Sequence, residues 1–145
     1  MPLVYSFIVY LALAVLPAQA DSLAVERAGQ VHSFMAAFNA HDSERMAEHV
    51  TDNVEWLSVN GTEIVVETRG KANLISAMDA YFKSCSSCQS ELLEVMVSGS
   101  RVSTVERATW QSETEQAVQN REQRSIAVYQ FAGDLIQRVY YFPAD

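Results

Sequence analysis

Glu106 and Arg107 are the adjacent pair whose side chains could do chemistry inside an otherwise apolar domain. They fall in residues 102–111, which read as a β-strand, so their side chains point to opposite faces. Val102, Thr104, Ala108 and Trp110 share the face of Glu106, while Val105, Thr109 and Gln111 share that of Arg107. A carboxylate turned into a cavity can act as a general base. A guanidinium can only bind an acceptor, because it keeps its proton at neutral pH. The alternation leaves open which face turns inward.

Cys85-Ser86-Ser87-Cys88 holds the only two cysteines. Structural zinc needs four ligands, and no second Cys pair or His-x-x-x-His accompanies this one. A redox Cys-x-x-Cys would open a helix, where the helix N-terminus lowers the thiol pKa. This pair follows a helix instead, so it reads as a disulfide in a helix-to-strand loop. His32, His41 and His49 are spaced nine and eight residues apart, which puts no metal cluster on one face. Neither a metal nor a cofactor is expected.

These residues need a scaffold, and composition bounds it. Residues 1–20 carry no charged side chain, run largely apolar from Leu3 to Leu16, and end Pro17-Ala18-Gln19-Ala20. That is the pattern of a secretory leader cleaved after Ala20. The apolar run is shorter than the roughly 20 residues a membrane span requires. Residues 21–145 then form one domain, exported to the periplasm or outside the cell. The formal charge of −8 with only ten Lys and Arg argues against nucleic acid, which demands clustered cations. It argues equally against docking on anionic membranes. Neutral or cationic small molecules, or protein partners, are favoured.

Val25, Ala28, Val31, Met35 and Phe38 recur at helical spacing over about residues 23–39, with Phe34 widening the stripe. Asp42 can cap a short second helix, residues 43–49. Strands follow at 54–59 and 62–68, joined by an Asn60-Gly61 turn of type I′. Leu74, Ile75, Met78, Tyr81 and Phe82 mark a third helix. The rest reads as β: 92–97, 102–111, 125–131 and 135–142, with a polar, mobile stretch at 112–120. Helices early and strands late argue an α+β fold with the helices on one face of an antiparallel sheet. Asn60-Gly61-Thr62 is also an N-glycosylation sequon on a hairpin tip, though a plain turn explains it as well.

The break Phe38-Asn39-Ala40-His41-Asp42, Arg69-Gly70-Lys71 before the third helix, and the ending Arg138-Val139-Tyr140-Tyr141-Phe142 resemble the NTF2-like superfamily, in its SnoaL-like and steroid-isomerase-like branch. The resemblance covers the whole of residues 21–145. It implies a strongly curved sheet wrapped around about three helices, with a conical cavity between them. It also implies a test of known chemistries. The ketosteroid isomerase positions for an oxyanion-hole Tyr, a general base and a protonated Asp match Phe34, Trp56 and Ala127. None of the three can play its part. In the limonene-epoxide-hydrolase pattern Arg107 matches, but the carboxylates fall at Thr109 and Tyr140. The His and Asp of the SnoaL cyclases find no match in the late strands.

The family pattern favours the Arg107 face as cavity-lining. It points to Trp56, Tyr81, Tyr140, Phe142 and Phe34 as ligand contacts, with Arg107 beside them and Glu106 a weaker catalytic candidate. The expected function is binding of a small, largely apolar molecule, by a homodimer formed through the outer sheet face. An enzyme with an unfamiliar catalytic set and a pure assembly module are the alternatives.

Overall fold

The computed structural model describes residues 17–144. Helix α1 (Pro17–Asn39) begins earlier than its apolar stripe indicates. The expected leader lies outside the described residues up to residue 16, and Ala20 and Asp21 fall within α1. Burial starts only at Val31 and continues through Phe34, Met35 and Ala37, whereas Leu23 and Val25 stay exposed. The stripe therefore packs over its C-terminal half alone.

α1 ends on a left-handed residue, His41 (φ 54°). The Asp42 N–H donates to Ala37 O (3.0 Å) and the His41 N–H to Phe38 O (2.9 Å), the paired bonds of a Schellman motif. Glycine is the usual residue at that position. Here the imidazole is held by its neighbours: it stacks on Phe82 at 4.5 Å, and Nε2 donates to Cys88 O at 2.8 Å. Asp42 then caps α2 (Ser43–Ala47) through a bond from Arg45 N to Oδ1 (2.9 Å), as its type and place predict.

β1 (Val50–Asn60) and β2 (Glu63–Arg69) form the expected hairpin, with a different turn. Asn60 pairs with Glu63, so Gly61 and Thr62 are the two loop residues. Only Gly61 has positive φ (59°), which is the type II′ pattern of glycine first. α3 (Lys71–Ser84) leads through the Cys85–Cys88 disulfide into β3 (Gln89–Ser98). β4 (Arg101–Glu113) and β5 (Val118–Ala132) extend well into the stretch expected to be mobile. Their ladder continues to Glu113↔Val118, and Thr114 N–H closes the turn on Ala117 O at 3.0 Å. Polar composition there reflects a solvated ribbon whose backbone groups pair with each other. β6 (Leu135–Phe142) completes the chain's order α-α-β-β-α-β-β-β-β.

The six strands form one sheet in the order β2-β1-β6-β5-β4-β3. All neighbours are antiparallel except β1 and β6, which run parallel. Register shifts interrupt the ladders β1–β2, β1–β6, β3–β4 and β5–β6. Such bulges bend a strand and sharpen its twist, so the sheet curls around the helices. α1 packs against β3 and α3 against β1. Between helices and sheet lies the core: Val31, Phe34, Leu74 and Phe82 meet Val102, Ala127, Tyr129, Ile136 and Val139.

Candidate functional site

A cavity of about 450 Å³ opens beside this core, between α1, α3 and the concave sheet face. Its walls are aromatic and thioether-rich. Phe34, Met35 and Phe38 come from α1, Met78 and Tyr81 from α3, Trp56 from β1 and Tyr141 from β6. The rings support one another: Phe34 stacks on Trp56 at 6.3 Å, Trp56 meets Tyr141 at 6.3 Å, and Phe38 meets Tyr81 at 5.9 Å. Tyr81 also donates to Cys88 Sγ (3.3 Å), which ties the cavity wall to the disulfide loop.

Of the two carboxyl groups that border this space, one is buried. Glu106 is 6% exposed and lines the cavity with Ala108 and Ser125. Thr104, two residues earlier on the same strand face, donates to its Oε1 at 2.7 Å, and the Tyr129 hydroxyl donates to the same atom at 2.6 Å. Both bonds fall on Oε1, and among the described residues Oε2 has no hydrogen-bond partner. Burial pushes the Glu106 carboxyl above the ordinary glutamate range, and the bonds from Tyr129 and Thr104 pull it partly back. Burial and the adjacent Glu106 drive the Tyr129 hydroxyl well upward. Tyr129 therefore keeps its proton and is the donor. Ser125, opposite Glu106 on β5, is buried with an unpartnered Oγ.

This placement corrects the family-based expectation for β4. Arg107 faces away from the cavity, where its guanidinium pairs with Glu91. The inner face is that of Val102, Thr104 and Glu106, all buried. β6 shows the same one-residue inversion. Val139 and Tyr141 face the helices, so Tyr140 and Phe142 lie on the outer face, opposite Val128 and Ile126. Since side chains alternate, choosing the wrong member of a pair inverts the whole strand. Of the expected ligand contacts, Phe34, Trp56 and Tyr81 border the cavity; Arg107, Tyr140 and Phe142 do not. Sequence reasoning missed Tyr141 and Ser125. Tyr141 could have been found from the burial of Val139, had the parity of β6 been known.

The outer face carries its own polar cluster. Glu55 accepts from Arg138 Nε (2.7 Å) and Arg69 Nε (2.9 Å). These bonds, Arg138 first, hold its carboxyl below the usual range. Among the described residues no three His, Cys, Asp or Glu gather as a metal set.

The model of the SnoaL-like domain matches residues 31–139. The chain belongs to the SnoaL-like family. No curated protein matches it. Among solved structures it is similar to an uncharacterized cystatin-fold protein from Novosphingobium aromaticivorans, at 23% identity over 79% of this chain and 96% of that one (TM-score 0.68). It is also similar to a phenazine biosynthesis-related protein from Pseudomonas aeruginosa, at 15% identity over 88% and 84% (TM-score 0.71). A third likeness is an NTF2-like protein of unknown function from Cytophaga hutchinsonii, at 9% identity over 81% and 89% (TM-score 0.61). At such identities these likenesses establish the fold.

In this SnoaL-like domain the three positions matching isomerase catalytic groups are packed apolar residues. Phe34 and Ala127 are buried in the core, and Trp56 stacks against Phe34. Glu106 stands elsewhere on the concave face, two residues along β4 from Thr104, whose partner across the sheet is Ala127.

Proposed function

We propose that this SnoaL-like domain binds a small, largely apolar molecule in the cavity, and that Glu106 and Ser125 hold the molecule's polar group. The cavity itself carries the reading. At about 450 Å³ it falls within the roughly 300–1,000 Å³ typical of small-molecule sites, with apolar walls and a few converging polar groups. The leader-like residues 1–20 support export to the periplasm or cell exterior. Among the described residues no helix is long and apolar enough to cross a membrane. The outer sheet face supports a homodimer: Ile64, Val66, Ile126 and Phe142 are exposed there, and patches of this kind mark interaction surfaces.

The test is a thermal-shift screen of small aromatic and alicyclic compounds. Stabilisation by several of them, lost when Trp56→Arg fills the cavity with a cation, is the expected result. Failure of every compound to stabilise the protein refutes it.

The position of Glu106 favours a second, enzymatic reading. A buried carboxyl with one free oxygen facing a cavity can exchange a proton with a bound molecule. This reading predicts turnover of some cavity ligand that Glu106→Gln abolishes without weakening ligand binding comparably. Ligands that bind and are recovered unchanged by the unmodified protein count against it.

A further inference from the structure

We infer that the molecule this cavity accepts carries a protonated amine on an aromatic or alicyclic body, with the nitrogen seated against Glu106 Oε2. The inference rests on the cavity-binding reading above and specifies its ligand.

Three observations converge on a cation. The first is the arrangement around Glu106. Thr104 and Tyr129 both donate to Oε1, and this fixes the carboxyl's orientation. Oε2 is left unpartnered in a cavity wall that is mostly apolar. A buried carboxylate is stabilised most by an opposite charge at hydrogen-bond distance, and the structure supplies none beside it. Ser125 Oγ lies across the ladder from Glu106, buried and unpartnered, and can accept a second N–H from the same nitrogen.

The second observation is the nature of the walls. Phe34, Phe38, Trp56, Tyr81 and Tyr141 all line the cavity, and aromatic rings can attract a cation as well as apolar groups. The third is the charge at the boundary. Glu67, on the exposed edge strand β2, also borders the cavity. Among the described residues no Lys, Arg or His lines it. An anion would meet two carboxyl groups and no cation. An ammonium would meet two attractive charges and the field of a chain with formal charge −8.

Arg107, which might have neutralised Glu106, is turned to the other face and paired with Glu91. The arrangement that removes a guanidinium from the cavity also leaves a position for a ligand's cation.

Isothermal titration at neutral pH with 2-phenylethylamine, 2-phenylethanol and phenylacetate decides the matter, because the three share one body and differ in the polar end. The amine is expected to bind at least about tenfold tighter than the alcohol, a margin of roughly 1.4 kcal/mol. Phenylacetate is expected to bind weakest. Glu106→Gln should remove the amine's advantage over the alcohol. An alcohol that binds as tightly as the amine, or an amine advantage that survives Glu106→Gln, overturns the inference while leaving the cavity-binding reading intact. If none of the three binds, this inference is overturned, and the cavity-binding reading stands or falls on the thermal-shift screen. The comparison on the unmodified protein decides even if the variant does not fold.

Discussion

Glu106 and Glu55 are the same side chain on opposite faces of one sheet, and their surroundings drive them in opposite directions. Glu106, on the concave face, is enclosed by apolar walls and receives two neutral hydroxyl donors. Burial dominates and raises its pKa. Glu55, on the outer face, sits between two guanidinium groups that lower its pKa. An ion pair near solvent completes a charge locally. A carboxyl in a cavity with one oxygen free leaves the charge to be completed by something else. The difference separates a structural glutamate from a functional candidate, and neither sequence position nor residue type reveals it.

The sharpest way to break the contrast is to remove the support of the inner carboxyl. Tyr129→Phe leaves Oε1 with one donor and should cost about 2 kcal/mol, the range for a bond to a charged group. Urea denaturation measures it, and a loss below about 0.5 kcal/mol would show that the bond contributes little. A smaller effect comes from pH. The folded-state pKa of Glu106 is raised, so its contribution to stability is fully present below the unfolded value, about 4.3. It is lost as pH rises through the folded pKa. The melting temperature of the unmodified protein, relative to Glu106→Gln, should therefore fall as pH is raised from 4 to 8. A flat difference would mean that burial does not perturb this group.

Glu55 should behave in the opposite sense and more weakly. Its lowered pKa contributes stability above the unfolded value that is lost as pH falls through the folded one. Arg69 and Arg138 are well exposed, so Glu55→Gln should cost little stability, and less still in high salt. A larger, salt-independent cost would place the outer cluster on a par with the inner one. The smallest expected effect is that of Ser125→Ala on the free protein. No hydrogen bond is lost with this buried hydroxyl, so stability should be unchanged or slightly higher. A clear loss, read by the same denaturation, would show that Ser125 has a partner in solution.

Much of the fold was legible because its signals are local. The helix break at His41-Asp42, the Asp42 cap and the bounds of β6 depend on neighbours within a few residues, and all are found. The site was less legible because parity is not local. On β6 the residues of both faces, Val139 and Tyr141 against Tyr140 and Phe142, are apolar, so alternation gives no direction. On β4 the alternation left the direction open, and the family resemblance favoured the face opposite the one that carries the carboxyl. Its stabilising donor, Tyr129, lies 23 residues away on β5. The hairpin turn differs for a simpler reason: Asn60 pairs with Glu63 and thereby shifts the loop by one residue.

The parallel pairing of β1 with β6 has a consequence for how the molecule is made. It unites strands whose paired residues Glu55 and Arg138 stand 83 positions apart. Neighbouring strands elsewhere join through short turns and can form hairpins as soon as they are synthesised. β1 can complete its pairing only after β6 has left the ribosome. Trp56 and Tyr141, which face each other across that seam, define one wall of the cavity. A long-range closure of this kind slows folding, so the cavity is expected to be among the last features acquired. A ligand present during refolding would then act on the late step, stabilising the closed seam without hastening the hairpins.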